Sequence, residues 1–382
     1  MPDQSPPLAP PPGEPTDVDE PPLAGPRAWK WPWLLGVCAG LLLLVGGFAG
    51  GAAYARRDRT VDPSVTASPV SLVVGEVVER EIPDRTLEPY EGLGTWVDRF
   101  DYSPPYAGEN PPIDAEEIAV MASLGVKTVY IQAAHRADRS PGLTEDPWVL
   151  AELLTAAHAN DMAVVAWYLP KWEDEDLGKI SAMADFEFLG HRFDGIGIDI
   201  EFNQDGLEPE ERSRILVELS EGVREHVGDD PLSAIVLPPV LTEEVNTEFW
   251  PEFPWDDIAP LYDIWQPMSY WSFRSESSGY KNGYTYNAES TRLLRELLDD
   301  PNALVHGIGG IGAIDAEQGG ESGGEPLAVV NDLEGFAQSL VDSNSVGGSM
   351  YDWATLDETA RQTMAELFTT GTAASLPEIP GN

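Results

Sequence analysis

The chain has 382 residues, with 66 Asp and Glu against 22 Lys and Arg and a formal net charge of −44. So acidic a chain excludes nucleic acid and anionic lipid surfaces as partners, because both require a basic footprint. The single cysteine, Cys38, lies in an apolar run, so neither a disulfide framework nor a thiolate metal site is expected.

Residues 1–30 are rich in Pro and acid and poor in apolar side chains. Such a tail cannot bury a core and reads as disordered. Residues 31–55 carry no charge, and contain Trp31-Pro32-Trp33, the run Leu41–Val45 and Tyr54. At about 1.5 Å rise per residue this stretch spans a bilayer with some tilt, with aromatics at both interfaces. It is expected to be a single transmembrane anchor. A cleaved signal peptide is the competing reading, since Ala53-Tyr54-Ala55 resembles a cleavage site. Basic residues flank both ends: Arg27 and Lys30 on one side, Arg56, Arg57 and Arg59 on the other. Their count leans toward a cytoplasmic C-terminal side. The character of the following domain argues instead for a cell-membrane protein with its barrel extracytoplasmic, and large domains translocate despite nearby charge. Residues 56–90 read as a juxtamembrane linker, with a short strand at Ser71–Val74.

Over residues 91–370, short apolar strands alternate with amphipathic helices. Strands are expected at Gly94–Val97, Thr128–Gln132, Ala163–Tyr168, Gly195–Glu201, Ala234–Leu237, Asp263–Tyr270, Leu304–Ile308 and Gly347–Tyr351. Helices are expected at Ala115–Leu124, Pro147–Ala159, Leu177–Phe188, Pro209–Val227, near Glu243–Phe249, and at Ser290–Leu298, Val329–Val341 and Leu356–Phe368. Eight such units imply an α/β (β/α)8 TIM barrel with right-handed crossovers. An open doubly wound sheet is the alternative, but no glycine fingerprint for a dinucleotide follows the first strand. Residues 371–382 form a short tail.

The fourth strand is the most informative. In Gly195-Ile196-Gly197-Ile198-Asp199-Ile200-Glu201 apolar residues alternate with small or acidic ones. Side chains two apart share a face, so Asp199 and Glu201 arrive together at the C-terminal end of the strand, where barrels do chemistry. Two adjacent carboxylates resist ionising together, which raises one pKa and makes a general acid. The other strand ends add Trp96 and Asp98, Gln132, Tyr168, Gln266, Met268, Tyr270 and Trp271, and Tyr351, Asp352 and Trp353. Aromatic planes beside amides and carboxylates suit the C–H faces and hydroxyls of sugars.

Asp194–Glu201 resembles the DGxDxDxE signature of glycoside hydrolase family 18, the chitinase-like barrels. Asp263–Tyr270 is similar to that family's Met-x-Tyr strand, and Gly347–Trp353 to its closing strand. The resemblance implies a hydrolase in which Glu201 is the general acid and Asp199 orients the substrate's acetamido group. Tyr270 would hydrogen-bond the oxazolinium-like intermediate. Gly197 stands where the family has an inner aspartate, and Trp271 where it usually has an acid. Those departures keep two alternatives open: a non-catalytic glycan-binding barrel, or a cell-envelope scaffold.

No cofactor or metal is expected. His135 and His191 lack zinc-ligand spacing. The Gly-rich stretch 307–312 lacks the Lys-Ser/Thr of a phosphate loop, and Glu173–Asp176 and Asp299-Asp300 read as solvated loops rather than calcium sites. The long segment Ser272–Asn287, with Tyr280, Tyr284 and Tyr286, is expected to wall the cleft with sugar-stacking rings. The expected partner is a polysaccharide.

Overall fold

A computed structural model describes residues 82–379, apart from 109, 138, 141, 203–205, 275 and 311–329. The expected tail, transmembrane anchor and most of the linker lie outside the described residues. Among the described residues, no helix is long and apolar enough to cross a membrane.

Eight parallel strands close into a barrel: β1 (Gly92–Val97), β2 (Thr128–Ala134), β3 (Ala163–Tyr168), β4 (Gly195–Ile200), β5 (Leu232–Val236), β6 (Ile264–Ser269), β7 (His306–Gly309) and β8 (Gly347–Met350). Each strand pairs with its sequence neighbours, and β8 closes on β1 through Gly92↔Gly347 to Thr95↔Met350. The crossover helices are α1 (Ala115–Ser123), α2 (Pro147–Ala159), α3 (Asp176–Ala184), α4 (Pro209–Val227), α5 (Gly283–Leu297), α6 (Val330–Asp342) and α7 (Glu358–Thr369). Their starts are encoded locally. Asp114 accepts from the Glu116 and Glu117 amides before α1, and Asp146 from Trp148 and Val149 before α2, as N-caps do.

The fifth crossover has no full helix. A six-residue π turn, Val240–Val245, and a four-residue turn, Trp255–Ile258, stand in its place. The third helix is shorter than its sequence pattern. It stops at Ala184, and Glu187–Phe188 pairs with His191–Arg192 as a small hairpin. Leu189 and Gly190, at φ 51° and 76°, make its two-residue turn, which requires positive φ at both central positions.

The strands are buried on both faces, so the barrel carries two apolar layers. Leu93, Val97, Val129, Ile131, Ile196, Ile198, Ile200 and Trp265 pack outward against the helices. Trp96, Tyr130, Val165, Trp167, Ile235, Ile264, Met268 and Ile308 fill the interior. Glycine makes room for the large interior rings: a Cβ on Gly94 would stand 2.6 Å from the Tyr130 ring. At the N-terminal pole Tyr90 is fully buried and its hydroxyl donates to Ile196 O at 3.2 Å. The entering segment is held there by Arg85, which bonds the carbonyls of Phe193 and Ala184 and the Asp230 carboxylate.

Candidate active site

On β4 the interior face is set by glycine. Cβ atoms built on Gly195 and Gly197 meet the interior residues Tyr90, Ile235 and Trp167. Asp199 continues that face by the two-residue period and is 6% exposed. Glu201 follows the last strand residue and is half-buried. Phe202, also half-buried, packs on both apolar layers. The Trp172 indole donates to its carbonyl at 2.6 Å and the Lys171 ammonium lies 3.6 Å from its ring centre.

The aromatic floor comes from three other strands. Trp96 stacks on Tyr130 at 4.4 Å and 12°, meets Trp167 edge-on at 5.9 Å, and donates from its indole to Ser349 Oγ at 2.7 Å. Above it Tyr270 and Tyr351 are half-buried against the interior cluster, with ring centres 5.9 Å apart. The buried Trp167 Nε1 has no acceptor among the described residues. Gln266 and Met268 lie on β6 at interior positions, at 0% and 4% exposure, beneath Tyr270. Gln132 is fully buried at the end of β2 and accepts the Arg99 amide at 3.2 Å. Asp98 caps the turn Arg99–Tyr102: its Oδ1 accepts from Phe100 N at 2.7 Å, and its Oδ2 from the Tyr351 hydroxyl at 3.2 Å.

Three residues expected to touch substrate are placed elsewhere. Tyr168 is one step out of phase with Trp167, so it faces the helices, and its hydroxyl donates to the fully buried Asp176 at 2.6 Å. Trp271 follows the end of β6, where the Trp271–Phe273 turn swings it into the outer layer against Phe336, 5.6 Å away. Trp353 lies beyond a turn in which Thr355 N donates to Asp352 Oδ1 at 2.8 Å. Its indole therefore reaches Glu117 on α1 at 2.5 Å, and the Arg361 guanidinium lies 4.3 Å from its ring centre. For Trp271 and Trp353 the alternation read along the strand stops where the strand stops. Trp167 and Tyr351 hold the interior positions. The signal for Trp167 was its phase relative to Val165.

Other expectations change for similar reasons. The Ser272–Asn287 segment is not a plain loop, because α5 begins at Gly283. Tyr286 is buried on that helix and Tyr284 bonds Asp342 on its outer side. Tyr280 bonds Glu244 and is the ring of that group left outside the helix. His191 has close polar company that its sequence spacing did not show: its Nδ1 lies 2.7 Å from His158 Nδ1, and His158 Nε2 lies 2.9 Å from Asp194. Asp176 is a buried structural residue, accepting the Lys171 and Glu173 amides.

Gly197 has a physical explanation. A Cβ there would stand 2.9 Å from Ser233 Oγ and 3.0 Å from Ile235 Cδ1. The volume an inner aspartate would occupy is filled by β5 side chains.

The sequence matches no protein-family model and no curated protein. Among solved structures, the chain is similar to an endo-1,4-beta-mannanase from Rhizomucor miehei at 10% identity and a TM-score of 0.53, over 75% of this chain and 95% of that one. It is also similar to a GH18 chitinase from Pseudoalteromonas aurantia at 12% identity and a TM-score of 0.47, over 72% of this chain and 98% of that one. At such identity the mannanase likeness is one of fold, and the fold this chain shares with it is the closed (β/α)8 barrel.

Proposed function

We propose that this barrel binds an amino-sugar-containing polysaccharide in the cleft at the C-terminal ends of its strands and hydrolyses its glycosidic bonds. The observation that carries the reading is the phase of β4, which supports Asp199 on the interior face with Glu201 one residue past the strand end, in a barrel whose interior layer carries the Trp96, Tyr270 and Tyr351 rings. In this reading Glu201 is the general acid that protonates the leaving oxygen. Asp199 orients the acetamido group and balances the positive charge as its oxygen attacks the anomeric carbon. Tyr270 donates a hydrogen bond to the cyclic intermediate. Substrate assistance of this kind needs no second carboxylate at nucleophile distance.

The test is hydrolysis of a panel of amino-sugar glycans by the full chain beside Glu201→Gln. That change keeps the side chain's size while abolishing proton donation. Turnover should fall by about 10²–10⁴, the usual share of general acid catalysis, while glycan binding survives. A wild-type chain that binds glycans without hydrolysing any would favour the second reading, a non-catalytic glycan-binding barrel. That reading draws support from Gly197, whose surroundings leave no room for the family's inner carboxylate. Residues 31–55 we read as a membrane anchor holding the barrel outside the cytoplasm. Protease treatment of intact cells should then remove the barrel, and protection of the barrel alongside loss of an N-terminal tag would reverse the orientation.

A further inference from the structure

The hairpin between α3 and β4 lies against α2 and carries an apolar tip. Its strands, Glu187–Phe188 and His191–Arg192, pair Phe188 with His191. The Phe188 ring stands edge-on to Trp148 at 6.0 Å, and His191 Nδ1 faces His158 Nδ1 at 2.7 Å. Beyond those contacts the tip is open. Trp148 is 74% exposed and Leu189 is 79% exposed, with half-buried Phe188 touching the one and preceding the other.

Single exposed apolar side chains need no explanation. These form one patch on a chain of net charge −44, and Leu189 is placed at a cost. It holds φ 51° in the two-residue turn, where Asn, Asp or Gly fits better. Those residues also suit water better, so neither the turn nor solvation accounts for leucine there. The nearby charges are paired: His158 Nε2 lies 2.9 Å from Asp194, and Arg192 3.9 Å from Asp230. The patch therefore has no basic footprint for an anionic surface.

The chain enters the barrel beside this tip. Arg192 donates to Pro83 O at 2.7 Å, and Arg192 is the neighbour of His191 at the Phe188 pair. Residues 56–81, 26 in all, separate the anchor read at 31–55 from Ile82 and span at most about 90 Å. A barrel on such a tether stays beside the bilayer, and a small patch then meets it at high effective concentration.

We propose that the hairpin tip, Phe188 and Leu189 together with Trp148, is a membrane-contact surface that enters the interfacial layer of a zwitterionic bilayer. The proposal goes beyond the glycan reading and rests on the reading of residues 31–55 as an anchor. Tryptophan settles at headgroup level and aliphatic side chains just below it. A stable protein partner buries about 1,600 Å², far more than three side chains offer. The hairpin leads into the N-terminal end of β4, whereas the cleft lies at the C-terminal ends of the strands, so this contact leaves the cleft open.

The experiment reconstitutes the full chain in phosphatidylcholine vesicles that carry a photoreactive group on an acyl chain, and maps the labelled residues by mass spectrometry. Labels are expected within 31–55 and at Trp148 and 188–189. Labels within 31–55 alone would overturn the hairpin contact and leave the anchor intact. No label within 31–55 would overturn the anchor reading and this proposal with it. Leu189→Asn should lose the label at the tip while the melting temperature holds or rises, because Asn suits the turn. Trp148→Ala with Leu189→Asn should lose all labelling of the hairpin and keep that of 31–55; hairpin labels that persist would show that the patch does not make the contact. Adding phosphatidylglycerol should weaken hairpin labelling, since the chain is acidic, and stronger labelling would contradict the zwitterionic assignment. A chemically cross-linked dimer joined through residues 187–192, with no lipid label there, would assign the patch to a second copy and overturn the membrane contact.

Discussion

Gly197→Ala is the sharpest structural test of why this chain departs from the family pattern it resembles. The new methyl would stand 2.9 Å from Ser233 Oγ and 3.0 Å from Ile235 Cδ1, with Trp167 Cβ at 3.5 Å. Ser233 Oγ donates to Ile196 O at 3.2 Å and cannot move without weakening that bond. Overpacking of this kind costs about 1–3 kcal/mol. Against it, replacing Gly by Ala stabilises by about 0.4–1 kcal/mol through the unfolded chain. The net is a loss of roughly 1–2 kcal/mol, which in a barrel of this size lowers the melting point by about 2–8 °C. Urea and thermal unfolding followed by circular dichroism measure it. Ile235→Val, which removes the Cδ1 in contact, should cost about 0.5–1.5 kcal/mol in the wild type and clearly less in the Gly197→Ala background. A Gly197→Ala chain as stable as wild type, or more stable, would show that the space is open and that the filled-volume explanation fails. Gly197→Asp should be worse than Gly197→Ala, because it adds a buried carboxylate beside Asp199 to the same crowding.

Tyr168→Phe should lower stability by about 1–3 kcal/mol, since it leaves the buried Asp176 oxygen without its hydroxyl donor; the KM for glycan should not move, and a changed KM at unchanged stability would return Tyr168 to the cleft. Burial pushes the His306 imidazole down to about 4, where it stays neutral between Tyr90 O and Ser349 Oγ. Its folded pKa lies below its unfolded one, so its contribution is full above about pH 6.5 and lost as pH falls toward 4, on the order of 3 kcal/mol. His306→Gln should flatten that part of the acid limb in a melting-versus-pH series, and an unchanged limb would contradict the neutral, buried ring.

The sequence by itself determined the architecture, because the alternation of strands and helices is a local property repeated along the chain. Seven of the eight βα units carry a helix overlapping the stretch where the apolar period puts one, and Asp114, Asp146 and Asp357 cap three of them. Phase within a strand was legible too: Gly197 and Asp199 share a face because a period of two leaves no choice while the strand continues, and Glu201 comes one residue after β4 ends. What the tertiary structure decided is where that period ends. β6 stops at Ser269 and β8 at Met350, set by close packing of Gly309 and Gly310 on Trp271 and by the Asp352–Thr355 turn. Trp271 and Trp353 therefore pass to the outer layer, and Tyr351 keeps the interior. The third helix likewise yields to a Leu189-Gly190 turn. The carboxyl cluster at the β1–β8 seam was hidden for a further reason. Asp98 and Asp101 stand far along the chain from Asp352, and only closure of the barrel brings the three within 4.8 Å of one another.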